Sequence, residues 1–265
     1  MFVESFDGTQ LFLNKETTPH DRAVAVIIHG LAEHCGRYDY LAQKFHEQGV
    51  GTYRFDHRGH GQSQGETTYY NTYTEMLRDI DRIVTLAQTE NPGKPLFLVG
   101  HSMGGFGAAL YGAAYPQKGL SGIVLSGAKT GVHGGLQAEI PAGIDPHTKL
   151  PNQLGPGVCS VPEVVDQYAA DPLNAKTYTV GLVMALGEGL GWFAHHKQDF
   201  CYPVLMLHGE KDGLVGVECT TELFRDCGSA DKQMKIYGGL FHEIFNEYCR
   251  DEVIGDALGW ILHRC

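Results

Sequence analysis

The segment Pro95-Leu96-Phe97-Leu98-Val99-Gly100-His101-Ser102-Met103-Gly104-Gly105 decides the fold of this chain. Its apolar start predicts a buried β-strand, and the small residues that follow Gly105 predict a helix. Glycine two residues before and two residues after Ser102 removes Cβ atoms that would collide. This stretch therefore predicts a sharp turn with Ser102 exposed at its apex. The first amides of the helix can meet negative charge that develops where this serine attacks. We therefore interpret Ser102 as a nucleophile.

The bare G-x-S-x-G pattern is weak evidence, because 35 of the 265 residues are glycine. A nucleophilic serine also needs an acid and a histidine, which follow such a turn in that order along the chain. Asp212 comes shortly after the apolar strand Tyr202–Leu207, and His242 comes shortly after a strand predicted at Met234–Tyr237. The ends of parallel strands gather at one edge of a sheet, so these side chains can converge with Ser102.

Each of these side chains has a separate role in the predicted chemistry. His242 takes the proton of Ser102 and returns it to the leaving group, while Asp212 orients the imidazole. The oxyanion that forms needs two backbone donors, for which we predict the N–H groups of Leu31 and Met103.

Two of these assignments have competitors. The chain contains 14 histidines, and His242 stands out only by its position after the last predicted strand. Glu210 lies in the same loop as Asp212 and is the alternative acid.

Four further stretches, taken together with the turn at Ser102, resemble the signatures of the monoacylglycerol lipase and lysophospholipase family of α/β-hydrolases. They are the loop His29–Tyr38, the segment Asp56–Ser63, the region Pro162–Leu173 and the segment His242–Glu247. The resemblance covers essentially the whole chain. It implies an α/β-hydrolase fold and a serine hydrolase that acts on monoacyl lipids and needs no metal and no organic cofactor.

The resemblance implies the same triad and the same oxyanion donors, and it adds residues that bind substrate. Tyr168 is placed near the alcohol end of the substrate pocket. Glu33 and Arg37 are placed where they brace the entrance loop and contact a glycerol hydroxyl. One departure is Phe245, because some members have a further histidine at that position. We therefore expect weaker polar contacts to glycerol.

Strands alternate with helices along most of the chain, which predicts a mostly parallel central sheet with helices on both faces. Residues 1–128 and 199–265 are predicted to form this α/β-hydrolase core. Residues 129–198 interrupt the alternation and are predicted to be an inserted cap, or lid, over the active site. Within it, residues 171–193 are predicted to be helical, with an apolar stripe suited to an acyl chain. The alternative is a helix pair that only packs on the body.

Charge and cysteine content exclude several classes of protein. A net charge of −11 disfavours nucleic-acid binding and anionic membranes, so we expect at most transient, apolar membrane contact through the cap. The sequence contains no run of ~18 apolar residues, so no membrane span is predicted. It begins without a basic region, so no secretory signal is predicted. The seven cysteines lack zinc-site spacing and predict reduced, mostly buried thiols in a cytoplasmic protein, at most peripheral to membranes. Cys35, in the entrance loop, is the thiol we consider for redox control.

We therefore predict a carboxylic-ester hydrolase that cleaves the acyl ester of monoacylglycerols or lysophospholipids through an acyl-enzyme on Ser102. The same triad would also serve a short-chain esterase, a thioesterase or an enzyme that releases N-terminal peptides. A non-catalytic binding protein on the same fold is the third alternative, although a complete candidate triad argues against it.

Overall fold

The computed structural model describes residues 1–133, 140, 143–153, 155 and 157–265. Within these residues, eight strands form one sheet in the order β1-β2-β4-β3-β5-β6-β9-β10. They are β1 (Phe2–Glu4), β2 (Gln10–Glu16), β3 (Ala23–Ile28), β4 (Val50–Phe55), β5 (Leu96–His101), β6 (Gly122–Ser126), β9 (Val204–Gly209) and β10 (Lys232–Tyr237). The pairs β1–β2 and β2–β4 are antiparallel, and the other neighbouring pairs are parallel. The prediction of a mostly parallel sheet is confirmed.

Side chains alternate between the two faces of the sheet along each strand, and apolar residues lie on both faces. Helices therefore cover both faces. The helices are α1 (Asp39–Glu47), α2 (Tyr73–Glu90), α3 (Met103–Ala114), α4 (Pro162–Ala170), α5 (Val180–His196), α6 (Glu218–Asp226) and α7 (Arg250–Leu262). On β5, Leu96 and Leu98 pack in the core shared with α2 and α3. Phe97 and Val99 pack in the core shared with α1 and α7. No helix in the described part of the chain is both long and apolar enough to span a bilayer.

The described part of residues 129–198 contains α4, α5 and a small antiparallel pair of strands, β7 (Lys149–Pro151) and β8 (Thr177–Thr179). The predicted helix over residues 171–193 is wrong for its first part, because β8 ends only at Thr179 and α5 begins at Val180. The Thr179 hydroxyl caps α5 by accepting a hydrogen bond from the Leu182 amide at 3.1 Å. Strand β8 contains Thr177 and Thr179, whose β-branched side chains favour an extended backbone. It pairs with β7, which is distant in the sequence.

Helix α5 packs against the body of the protein. Phe193 is fully buried, and its ring meets that of Phe106 edge to face at 6.3 Å. A Cβ atom on Gly189 would lie 2.9 Å from the Cβ atom of Tyr73, so glycine allows α5 to approach α2 closely.

Candidate active site

Ser102 lies between β5 and α3 in a strained backbone conformation, with φ of 55° and ψ of −118°. Such angles are unfavourable for residues other than glycine and are typical of functional sites. The turn is held by a hydrogen bond from the Ser102 amide to the Ser126 carbonyl at 2.9 Å. A Cβ atom on Gly104 would collide with the Ile28 carbonyl oxygen, and one on Gly100 would collide with the Gly104 carbonyl oxygen. The predicted strand, sharp turn and helix are therefore present.

The acid and the histidine of the predicted triad are hydrogen-bonded to each other. His242 follows β10, and its Nδ1–H donates to Asp212 Oδ2 at 2.6 Å. Asp212 follows β9, and its Oδ1 accepts the amides of Leu214 and Val215 at 2.9 and 2.8 Å. Glu210 instead accepts the amide of Gly239 at 2.9 Å. Asp212, and not its competitor, is the carboxylate beside His242.

A second imidazole also binds the acid, and the sequence reasoning missed it. His208, on β9, has its Nε2 atom 3.1 Å from Asp212 Oδ2 and 2.9 Å from the Val215 carbonyl oxygen. Its Nδ1 atom is 2.7 Å from the Thr220 hydroxyl, so His208 donates from Nε2 and accepts at Nδ1. Burial opposes ionisation of Asp212, but hydrogen bonds from His208 and His242 outweigh it and hold the pKa of Asp212 well below its usual range.

Ser102 and His242 line the same cavity of about 20 Å³. Leu31, Val158 and Tyr168 also line it, so Ser102 is only 5% exposed, and the prediction of an exposed serine is wrong. The volume is about that of one water molecule, so an acyl ester enters only if the surrounding side chains move apart.

The two predicted oxyanion donors lie next to Ser102. Leu31 lines the cavity, and Met103 is the first residue of α3. A Cβ atom on Gly30 would lie 3.1 Å from the Cβ atom of Ser102, so the Gly30–Leu31 turn is packed directly against the serine. In the chain as far as it is described, neither the Leu31 nor the Met103 amide donates a hydrogen bond to a protein group. Both are available to an oxyanion.

Glu33 and Arg37 form a buried ion network with a partner that the sequence reasoning did not identify, Glu243. Arg37 Nη1 donates to Glu33 Oε2 at 2.6 Å and to Glu243 Oε1 at 2.7 Å, and Nη2 donates to Glu243 Oε2 at 2.7 Å. Glu33 Oε1 accepts the Gly30 amide at 2.5 Å and the Tyr38 hydroxyl at 2.6 Å. Burial would raise the pKa of Glu33, but Arg37 keeps it below its ordinary value. The network joins the oxyanion turn to the residue that follows His242.

Tyr168 and Phe245 differ in their relation to this network. The Tyr168 ring lies under the Arg37 guanidinium, 4.8 Å from ring centroid to Cζ, and the residue lines the catalytic cavity. Its hydroxyl accepts a hydrogen bond from Asn152 Nδ2 at 2.8 Å, and burial raises the pKa of Tyr168 to about 12. Phe245 is buried in the core on the side of α7.

His101 is a further residue that sequence reasoning missed, although it immediately precedes the serine. Its ring packs against that of His242, with centroids 4.6 Å apart. Its Nδ1 atom is hydrogen-bonded to the Ser126 hydroxyl at 3.1 Å. Burial, reinforced by the neighbouring His242, lowers the pKa of His101 to about 3. It therefore stays neutral and supports one side of the His242 ring.

Three more buried imidazoles hold the loop that carries Leu31. The His29 and His57 ring centroids are 4.5 Å apart, and His60 lies 5.4 Å from His29. The His57 amide donates to His29 Nε2 at 2.9 Å, and Tyr70 donates its hydroxyl to His57 Nδ1 at 2.9 Å. Burial lowers the pKa of each of the three histidines. The loop therefore rests on neutral imidazoles.

Cys35 is poorly suited to redox control. It is 3% exposed, and its amide donates to Asp56 Oδ1 at 2.7 Å. Burial and the nearby Asp56 carboxylate raise the pKa of the Cys35 thiol well above its ordinary value. Oxidants react with the thiolate, so these features oppose the redox hypothesis.

A mostly parallel sheet with a strained serine after β5 and an Asp–His pair after β9 and β10 defines an α/β-hydrolase of the serine hydrolase class. The family model described as "Serine aminopeptidase, S33" matches residues 19–248, and the chain belongs to this family. The prediction of an enzyme rather than a non-catalytic binding protein is confirmed.

Individual relatives cover nearly the whole chain. The chain is 36% identical to the monoacylglycerol lipase of Mycolicibacterium smegmatis over 249 residues, which cover 91% of this chain and 88% of that protein. It is 31% identical to the monoglyceride lipase of Mus musculus, with 97% of this chain and 88% of that protein covered. The crystal structure of the Paleococcus ferrophilus monoacylglycerol lipase has a TM-score of 0.85 at 28% identity, covering 96% of this chain and 99% of that one. The predicted family resemblance and the α/β-hydrolase fold are confirmed.

Proposed function

We propose that this chain is a serine carboxylic-ester hydrolase that cleaves the acyl ester of monoacylglycerols through an acyl-enzyme on Ser102. The observation that carries the proposal is the 2.6 Å hydrogen bond between His242 and Asp212, beside a cavity that His242 and Ser102 line together. The similarity to a bacterial and a mammalian lipase, each named for monoacylglycerol or monoglyceride, supports this substrate class.

The mechanism uses the side chains in two half-reactions. In the first, His242 removes the proton of Ser102, whose oxygen attacks the ester carbonyl, and then protonates the departing alcohol. In the second, His242 activates a water that releases the fatty acid from Ser102. Asp212 holds the imidazole in the tautomer with hydrogen on Nδ1 and stabilises the imidazolium.

The amides of Leu31 and Met103 stabilise the oxyanion in both half-reactions. Each such donor is worth about 3–4 kcal/mol of barrier. The hydrogen bond from Gly30 to Glu33 fixes the turn that presents the Leu31 amide. Glu33 and Arg37 therefore brace the entrance loop, and Tyr168 lies at the alcohol end of the cavity.

Residues 129–198 act as the cap. Val158 and Tyr168 line the cavity above Ser102, which supports this assignment. The Ala175 amide donates to the Ala32 carbonyl at 2.9 Å and so ties the insertion to the oxyanion loop. Among the described residues of the insertion, four large apolar side chains are exposed, namely Val132, Ile144, Leu173 and Met184. They support transient, apolar contact of the cap with a lipid surface. The net charge of −11 disfavours nucleic-acid binding. The cytoplasmic location stays a prediction.

The test measures hydrolysis of a series of 1-monoacylglycerols, lysophosphatidylcholines, short-chain esters and thioesters, together with labelling by a fluorophosphonate probe. We expect turnover of monoacylglycerols and labelling in the wild type, and neither in Ser102→Ala. Ser229→Ala is the matched control, because Ser229 is also buried but donates its hydroxyl to the Asp231 carbonyl, away from the cavity. Full turnover by Ser102→Ala would refute the mechanism. A preference for short esters or thioesters would refute the substrate class.

A further inference from the structure

The alcohol end of the catalytic cavity carries two buried carboxylates. Glu33 and Glu243 are each 4% exposed, and both line the cavity together with Ser102 and His242. Carboxylates are rarely buried to this extent unless they are paired. Their placement beside the reacting serine means that the head group of a substrate meets their charge directly.

The positive charge in this network is smaller than the negative charge. Within the described residues, Arg37 is the cation that forms ion pairs with Glu33 and Glu243, so two carboxylates share one guanidinium. Lys129 interacts electrostatically with Asp212, and its amine donates a hydrogen bond to the His133 carbonyl at 2.8 Å. Lys129 therefore offsets Asp212, and a net charge of about −1 is left at the alcohol end.

The two carboxylates also have capacity to accept hydrogen bonds from a ligand. Glu33 Oε2 and Glu243 Oε1 each accept one hydrogen bond in the part of the chain that is described, and both come from Arg37 Nη1. A carboxylate oxygen has two lone-pair sites. These oxygens therefore suit hydroxyl groups, which donate. A phosphate ester adds negative charge and brings oxygens that only accept.

We propose that Glu243 makes this enzyme select acyl esters whose head groups are uncharged and bear hydroxyl groups, and reject those whose head groups carry a phosphate. This inference rests on the proposed function and narrows its substrate class. Arg37 alone at this position would attract a phosphate, because guanidinium binds phosphate in a bidentate manner. Glu243 occupies both Nη atoms of Arg37 and reverses the sign of the local charge.

The experiment compares 1-decanoylglycerol with 1-decanoylglycerol 3-phosphate, which have the same acyl ester and differ by the phosphate. For the wild type, we expect kcat/KM to be at least tenfold lower for the phosphate ester, a difference of about 1.4 kcal/mol. In Glu243→Gln, which keeps the size of the side chain and an oxygen for Arg37, this ratio should fall by roughly tenfold. Glu243→Asp keeps the charge and should keep the discrimination.

Glu163→Gln is the matched control, because it makes the same change in net charge at an exposed position on α4. If Glu163→Gln lowers the ratio of the two kcat/KM values as much as Glu243→Gln does, the inference is overturned. The overall charge of −11 would then explain the discrimination. A wild type that hydrolyses both esters equally well would also overturn it. That comparison needs no substitution, so the inference can be tested even if Glu243→Gln does not fold.

A binding measurement separates this inference from the proposed function. Calorimetry with the Ser102→Ala variant measures Kd for the two esters without turnover. We expect at least tenfold tighter binding of 1-decanoylglycerol, and Glu243→Gln in the same background should reduce that ratio. Equal Kd values would refute the role of Glu243 and leave the proposed function intact. If Ser102→Ala binds selectively but the wild type hydrolyses neither ester, the proposed function is refuted and the role of Glu243 in binding remains.

Discussion

Gly127, which follows β6, is the position where one added methyl group tests the triad geometry most directly. Its φ is 51°, and a Cβ atom there would lie 3.1 Å from His242 Nδ1, 3.2 Å from His242 Cε1 and 3.3 Å from Asp212 Oδ2. Favourable contacts between such atoms begin at about 3.5 Å, so Gly127→Ala must displace the His–Asp pair by a few tenths of an ångström. The pair cannot tighten in response, because its hydrogen bond is already 2.6 Å long.

Two effects of Gly127→Ala can be separated by magnitude. Alanine at positive φ destabilises the fold by about 1–2 kcal/mol. Displacement of a catalytic group by 1 Å costs about a hundredfold in rate, so the smaller shift here should lower kcat by roughly tenfold. The assay measures kcat and KM for a chromogenic acyl ester and the free energy of unfolding in urea.

Gly8→Ala is the matched control for Gly127→Ala. Gly8 has φ of 90° in the turn between β1 and β2, and a Cβ atom there would meet nothing within 4 Å. Gly8→Ala should therefore show the loss of stability with unchanged kcat. If Gly127→Ala keeps the kcat of the wild type, or if Gly8→Ala loses kcat to the same extent, the geometric argument is wrong.

Three further predictions follow from the buried groups. His208→Leu removes the second donor to Asp212, so it should lower kcat and reduce the free energy of unfolding by about 2 kcal/mol. His208→Gln keeps a donor and should lose less of both. Equal kcat values in the two variants would contradict this role of His208. The free energy of unfolding should fall as pH drops below about 6.5, by up to about 1.4 kcal/mol per pH unit for each buried histidine whose pKa is lowered. The sign follows because the unfolded chain binds protons there and the folded chain does not. These histidines are His29, His57, His60 and His101. His60→Gln should make the loss of unfolding free energy at low pH smaller, whereas substitution of the exposed His20 by Gln should not. A free energy of unfolding that is equal at pH 7 and pH 5 would contradict this role of the buried histidines. Peroxide should inactivate Cys35→Ser as fast as the wild type, and a thiol reagent should label the exposed Cys201 and Cys265 before Cys35; selective resistance of Cys35→Ser would restore the redox hypothesis.

Much of the fold was predictable because the signals are local. The strand that precedes Ser102 is a short apolar run, and α2 shows helical spacing over eighteen residues. Asp212 and His242 could be found because each follows a strand at the same edge of the sheet. Strand β8 could not be found, since its short run of favourable threonines is extended in the fold through pairing with β7, more than twenty residues earlier.

The contacts that support the triad were not predictable from the sequence. Glu243 meets Arg37 across 206 positions of the chain, and nothing in either local sequence indicates the pairing. His101 and His208 each lie at the end of a core strand, where an interior residue is the ordinary expectation. The pairing of β5, β6, β9 and β10 brings His101 to His242, and the turn after β9 places Asp212 beside His208.

The backbone angles of Ser102 set a condition on how this turn can evolve. Glycine would adopt them without strain, so a chain that had lost its chemistry would gain about 1–3 kcal/mol by exchanging the serine for glycine. Folding therefore gives no reason to keep a side chain at this place. In a descendant that is no longer selected for turnover, we expect early replacement of Ser102 by glycine and a higher free energy of unfolding.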